Sequence, residues 1–214
     1  ILNGYPIVRF DGTNDHLAAT GNYFSRLPPS SLTSFLVYKT NNPLVEQVVF
    51  ANDNDDGGSP GNGARNNFII GINNSNNRSG VFFSWGKENQ PAVWTFSSTG
   101  VRNDTSWYLR SDRWRLDNNI FTWSFNGVDR NTGVTSMSQS INNRLRVGCT
   151  VSQSVPTNFF NGDLAEVVAY SRRLNESEVS QVHQYLIDKY NLFNASATTL
   201  FMWSTENSGL YKTM

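Results

Sequence analysis

Between residues 160 and 192 the chain spells out a turn, a strand, a second turn and a helix, and this order constrains most of what it can become. In Phe160-Asn161-Gly162-Asp163-Leu164-Ala165-Glu166-Val167-Val168-Ala169-Tyr170, a period of two places Leu164, Glu166, Val168 and Tyr170 on one face. Ala165, Val167 and Ala169 fall on the other. Both faces need cover, so the strand belongs inside a layered sheet. After Ser171-Arg172-Arg173-Leu174, Asn175 is placed to cap the first free amides of a helix, and Glu178, three residues on, to close a capping box. Val179, Val182, Leu186 and Tyr190 recur at helical steps as a stripe for burial. Lys189 suits the negative helix end, and Asn191 tolerates a left-handed cap.

No second helical pattern of that length occurs. Short apolar or alternating runs lie at residues 7–10, 34–38, 45–51, 68–72, 81–85, 92–96, 107–109, 120–125, 145–151 and 164–170. Paired asparagines such as Asn41-Asn42, Asn73-Asn74 and Asn142-Asn143 stand between the runs and mark turns, because Asn tolerates positive φ and bonds its own backbone. Strands at this spacing predict an antiparallel sandwich. Phe68-Ile70-Ile72, Val81-Phe83-Trp85 and Phe121-Trp123-Phe125 each put three large residues on one face, enough for two inner faces about 10 Å apart.

At 214 residues the chain fits one domain able to bury a core without metal or disulfide. Seventeen basic residues balance seventeen acidic ones, and no basic run occurs, which argues against nucleic acid as a partner. The single Cys149 follows Leu145 and Val147 in an alternating run and reads as a small buried hydrophobe. No stretch approaches the roughly 18 apolar residues of a membrane helix, so membrane insertion is not expected. No signal peptide is evident, and the start at Ile1 suggests processing or a piece of a longer polypeptide. Asn73, Asn77, Asn103, Asn175 and Asn194 open glycosylation-type tripeptides that an Asn- and Ser-rich chain produces by chance.

Gly162-Asp163-Leu164-Ala165-Glu166-Val167, Tyr170, Arg173-Leu174, Glu178-Val179 and Tyr185-Leu186-Ile187-Asp188-Lys189-Tyr190 resemble the closing signature of bacterial and viral laminin G-like, concanavalin A-like domains. Val8-Arg9-Phe10-Asp11-Gly12-Thr13-Asn14-Asp15-His16-Leu17 is similar to their opening strand and turn, and Trp123-Ser124-Phe125-Asn126-Gly127 to a later strand. The resemblance runs from about Pro6 to Leu192 and implies an all-β, antiparallel two-sheet jelly-roll sandwich with one C-terminal amphipathic helix. Residues 1–194 would form this domain. Residues 195–214, with Leu200-Phe201-Met202-Trp203, would form an extension that adds an edge strand or reaches a neighbouring subunit.

The fold that the resemblance implies also carries glucanases, which set two or three acids on alternate positions of one strand. Here Glu166 has no acidic partner two or four residues away, so it reads as structural, accepting backbone amides or an arginine. His16 and His183 have no matching Ser or Cys in sequence, and G-x-S-x-G is absent, so no catalytic residue is assigned. Two histidines and one cysteine are too few for structural zinc. The Gly-rich run 56–63 lacks the Lys-Ser/Thr of a phosphate loop.

The strongest site chemistry lies in Asn52-Asp53-Asn54-Asp55-Asp56-Gly57, whose oxygen-rich side chains make Asp53, Asp55 and Asp56 candidate calcium ligands, although position twelve of an EF-hand would be Gly63 instead of Glu. Calcium is the one cofactor this chemistry admits, and none is required. Tyr23 and Trp85 sit near loops, with Asn89 nearby, and are the candidate sugar-stacking and hydrogen-bonding residues; Trp107 and Trp123 are expected in the core. The strip Arg110-Ser111-Asp112-Arg113-Trp114-Arg115 reads as a solvated sheet face.

The expected function is a non-enzymatic binding or adhesion module holding glycan or a protein surface through sandwich loops. The alternative is a structural or decoration protein of a virion or extracellular assembly, its tail contacting neighbouring subunits, and third is a glycoside hydrolase. All three place the chain outside the cell, at a cell surface or on a virion surface.

Overall fold

The computed structural model describes residues 1–19, 31–54, 68–72, 81–85, 93–96, 105–115, 120–134, 143–152 and 155–193. One six-stranded antiparallel sheet runs in the order β1 (Val8–Asp11), β14 (Asn161–Tyr170), β3 (Ser31–Thr40), β8 (Tyr108–Arg115), β9 (Ile120–Phe125) and β10 (Val128–Val134). A second runs β2 (Leu17–Ala18), β11 (Asn143–Val147), β4 (Gln47–Asn54), β5 (Phe68–Ile72), β6 (Val81–Trp85) and β7 (Val93–Phe96). β12 (Thr150–Ser152) and β13 (Val155–Thr157) form a short ribbon, and α1 (Glu176–Tyr190) is the helix among the described residues.

Three layers result. Phe10, Leu36, Tyr38, Tyr108, Trp123, Phe125 and Leu164 of the first sheet meet Val49, Phe50, Ile70 and Ile72 of the second in the inner core. On the opposite side of the first sheet, Phe35, Val37 and Leu109 pack against Val179, Leu186 and Tyr190 of α1. The middle strand β3 shows why: Leu36 and Tyr38 point one way and Phe35 and Val37 the other, all 0% exposed. Each such side chain contributes about 1.5–3 kcal/mol of burial, so the sheet is held from both faces. The protein is an all-β antiparallel jelly-roll sandwich with one helix among the described residues, following the last strand.

The helix follows its sequence signals. Asn175 accepts from the Glu178 amide, Glu178 accepts from the Asn175 amide, and Asn191 closes the other end at φ 50°. Val179, Leu186 and Tyr190 are buried and Val182 partly so.

Two strand readings are corrected. A β-bulge shifts the β14 register between Leu164, opposite Tyr38, and Glu166, opposite Val37, so simple alternation fails. Leu164 enters the inner core, whereas Ala165, Val168 and Tyr170 pack on the helix side. The run 145–151 is split at Gly148, whose φ of 88° ends β11; a Cβ there would stand 2.6 Å from the Phe10 ring. Cys149 beyond it is fully buried, as its surroundings predict. β2, β10 and β13 had no apolar run to announce them.

Candidate functional site

Along β8 the side chains alternate between the two cores, and the strip expected in solvent is buried: Arg110 is 1% exposed, Asp112 4% and Arg113 2%. Both faces of this strand are covered, one by the second sheet and one by α1. Toward the inner core, Arg110 holds Asp112 through Nε at 2.9 Å and Nη2 at 2.7 Å, and its guanidinium lies 5.2 Å from the Trp123 ring centroid. Burial raises the Asp112 carboxyl above its usual range, and the arginine opposes that shift. Ser34 Oγ, Tyr38 OH and Arg110 Nη1 are buried here without hydrogen-bond partners among the described residues.

Toward the helix, Ser111 Oγ lies 2.6 Å from Ser124 Oγ and 3.0 Å from His183 Nε2, and Arg113 bonds Glu176 at 2.5 Å. His183 therefore does have serine neighbours, supplied by β8 and β9, which sequence separation concealed. The arrangement has the contact of a nucleophile and base, yet Ser111 and Ser124 are each 1% exposed beneath α1. A substrate has no approach to them in this arrangement. Burial and the positive Arg113 push the His183 imidazole down to about 4, so it is neutral at pH 7 and acts as a pin between helix and sheet.

Glu166 is engaged by Lys189, Nζ to Oε2 3.0 Å, in place of the arginine or backbone amides expected. The ammonium also stands 5.1–5.3 Å from the ring centroids of Tyr5, Tyr185 and Tyr190. Asn3 donates to the Lys189 carbonyl at 2.9 Å and Tyr190 donates to the Ala165 carbonyl at 3.1 Å. This cluster ties the N-terminal turn, the helix end and β14 together, and it occupies the carboxylate that the hydrolase reading would test.

Beyond the C-terminal end of α1 the outer face of the helix-bearing sheet carries one more row. Arg9 of β1 lies opposite Asp163 of β14, which lies opposite Lys39 of β3. Arg9 grips Asp163 through Nε at 2.7 Å and Nη2 at 3.1 Å, and Lys39 Nζ stands 3.6 Å from the same carboxylate. The arginine, and then the lysine, hold the Asp163 carboxyl below its usual range. Lys39 Nζ also lies 5.9 Å from the centroid of Trp107, which precedes β8. Trp107 is half-buried against the helix-side core, where a wholly buried ring was expected; Trp123, 3% exposed, is a core residue. Sequence alone could not assemble this row, because its members come from three strands and the approach to a fourth, whose register was unknown.

Among the sequence candidates, Tyr23, Asn89, Asp55 and Asp56 lie outside the described residues. Asp53 stands in β4 opposite Arg144, and Trp85 in β6 opposite Phe68 and Val93. Among the described residues no group of three or more His, Cys, Asp or Glu side chains converges as for a metal, and no helix is long and apolar enough to cross a membrane. His16 bonds the Asn14 carbonyl at 3.0 Å beside the first turn.

No family model matches the sequence, and no curated protein does either. Solved structures do resemble it. The Ruminococcus gnavus IT-sialidase CBM40 bound to α2,3-sialyllactose superposes at a TM-score of 0.60 with 18% identity, covering 83% of this chain and 96% of that one. A variant of the NanB sialidase from Streptococcus pneumoniae matches at 0.64 and 13%, covering 81% of this chain. The heptameric SAP-like pentraxin from Limulus polyphemus matches at 0.56 and 15%, covering 82% of this chain and 80% of that one. The chain spans about a quarter (27%) of the NanB sialidase. These likenesses establish the shared sandwich fold.

Proposed function

We propose that this protein is a non-enzymatic module that binds glycan through the rim and faces of its sandwich. The observation that carries the reading is a match over nearly the whole of a carbohydrate-binding module solved with sialyllactose, 96% of that chain. The local chemistry is consistent with it. Glu166 is neutralised by Lys189, and the Ser111, Ser124 and His183 cluster is enclosed under α1, so neither offers an open centre for bond-breaking.

In this reading Tyr23 and Trp85 supply stacking faces and Asn89 a hydrogen-bonding group. The three carboxylates Asp53, Asp55 and Asp56 supply hard oxygen donors of the kind calcium takes. Residues 1–194 constitute the module and 195–214 an extension, and the setting is extracellular or a particle surface. A glycan array probed with and without calcium tests the proposal. Saturable binding weakened by Trp85→Ala or Tyr23→Ala is expected; silence on every glycan, or release of reducing sugar abolished by Glu166→Gln, sinks it.

A further inference from the structure

We propose that Arg9, Lys39 and Trp107, held in one row by the buried Asp163, form a subsite for a sugar bearing an anionic group, a carboxylate or a sulfate. The inference rests on the glycan-binding reading and assigns a ligand class and a place: the outer face of the helix-bearing sheet, just past the end of α1.

Charge is the first argument. Two cations share one carboxylate that is 2% exposed, so the row carries an excess positive charge. The Arg9 side chain is 71% exposed and its hydrogen bonds to Asp163 use Nε and Nη2. Its Nη1 edge therefore remains for an incoming anion. Lys39, 27% exposed and 3.6 Å from Asp163, carries three donors and satisfies that carboxylate loosely. Asp11, two residues along β1 from Arg9, is the nearby carboxylate on that strand. It is turned onto the amides of Thr13 at 2.7 Å and Asn14 at 3.3 Å, within its own loop.

Position is the second argument. Asp163 orients both cations in the absence of ligand, and they stand on paired strands instead of loops, which lowers the ordering cost of binding. Trp107 adds an aromatic surface beside them. Its packing on the helix-side core fixes the indole, and its partial exposure leaves ring surface for the apolar C-H face of a pyranose. An anionic substituent on that sugar would then reach Lys39, 5.9 Å from the ring centroid. Two cations on a chain with no net charge are too few for a phosphate polymer, which is followed by longer basic tracks.

The test is calorimetric titration of the full chain with 3′-sialyllactose, a sulfated lactose and plain lactose. Lys39→Gln is the cleanest variant, because Asp163 keeps its two bonds to Arg9; Arg9→Gln and Trp107→Phe complete the set. Binding of either acidic sugar, weakened about tenfold by Lys39→Gln and by added salt while circular dichroism and melting are unchanged, supports the subsite. The carboxylated and sulfated arms report which anion is preferred. Wild-type binding that none of the three variants alters overturns the subsite and leaves the glycan-binding reading intact. Binding of plain lactose with equal affinity also overturns it. Absence of all glycan binding overturns both.

Discussion

His183 Nε2 stands 3.0 Å from the Ser111 hydroxyl across the seam between α1 and the sheet, with Phe35 edge-on to the imidazole at 5.4 Å. Arg113 and Glu176 are the charged groups beside it, the first disfavouring and the second favouring the imidazolium. Burial dominates, and the folded-state value of about 4 lies below the roughly 6.5 of an exposed histidine. As pH falls, the unfolded chain takes up this proton first. The contribution of His183 is therefore fully present above about pH 6.5 and lost between there and about 4, where both states are protonated.

Urea unfolding across that range should show a loss of up to about 3 kcal/mol attributable to this one group. His183→Gln keeps a polar contact to Ser111 but cannot titrate. The difference between wild type and variant should shrink as pH falls from 7 to 4. Parallel pH profiles for the two proteins would refute the pin.

The Arg110 and Asp112 pair makes a different prediction, because two buried charges cost desolvation that their attraction offsets only when both are present. Asp112→Ala should cost about 3–5 kcal/mol by stranding the arginine. The double change Arg110→Met with Asp112→Leu should cost far less, or stabilise. Tyr38→Phe should be close to neutral, since the Tyr38 hydroxyl is buried without a partner among the described residues. Chemical denaturation of the four proteins checks the order, and a double variant no more stable than Asp112→Ala would contradict it.

How much of this was legible depended on whether a feature was local. The helix could be read because Asn175, Glu178, Lys189 and Asn191 act within one turn of its ends. Strand alternation was also local, and failed where a bulge shifts β14 beside Glu166. The buried β8 charges read as a solvent face in the sequence because residue type does not reveal what covers a strand. Ser111 and His183, 72 residues apart, or Arg9 and Asp163, 154 apart, become neighbours only through strand register. Tyr23, Asn89, Asp55 and Asp56 fall outside the described residues, so these candidates rest on residue type and spacing alone.

Gly162 illustrates a residue whose role changes with that register. It belongs to β14, opposite both Phe10 and Thr40, and a Cβ there would overlap the Lys39 carbonyl oxygen and the Phe160 ring. Backbone cannot yield as a flexible side chain can. Gly162→Ala should cost about 3 kcal/mol or more, or prevent folding. Gly4→Ala is the comparison: nothing lies within 4 Å of that Cβ, so only its φ of 82° resists the change, at about 1 kcal/mol. Equal melting temperatures for the two variants would show that β14 is not packed as described.

The start of α1 separates a neutral cap from a charged one. The Asn175 side chain accepts from the Glu178 amide at 2.9 Å, and Asn175→Ala should cost about 1 kcal/mol at any pH where the fold persists. Glu178 accepts from the Asn175 amide at 2.9 Å and from both Arg172 terminal nitrogens, at 2.8 and 2.7 Å. The arginine first, then the amide, pull its carboxyl down to about 2. Its contribution is thus present above the usual range near 4.3 and fades as pH falls toward 2. Glu178→Gln should therefore lower the melting temperature at pH 7 and converge on wild type near pH 2. The Asn175→Ala deficit should instead persist down the same series. If the two variants lost stability in parallel at every pH, the ion pair with Arg172 would contribute nothing beyond the cap.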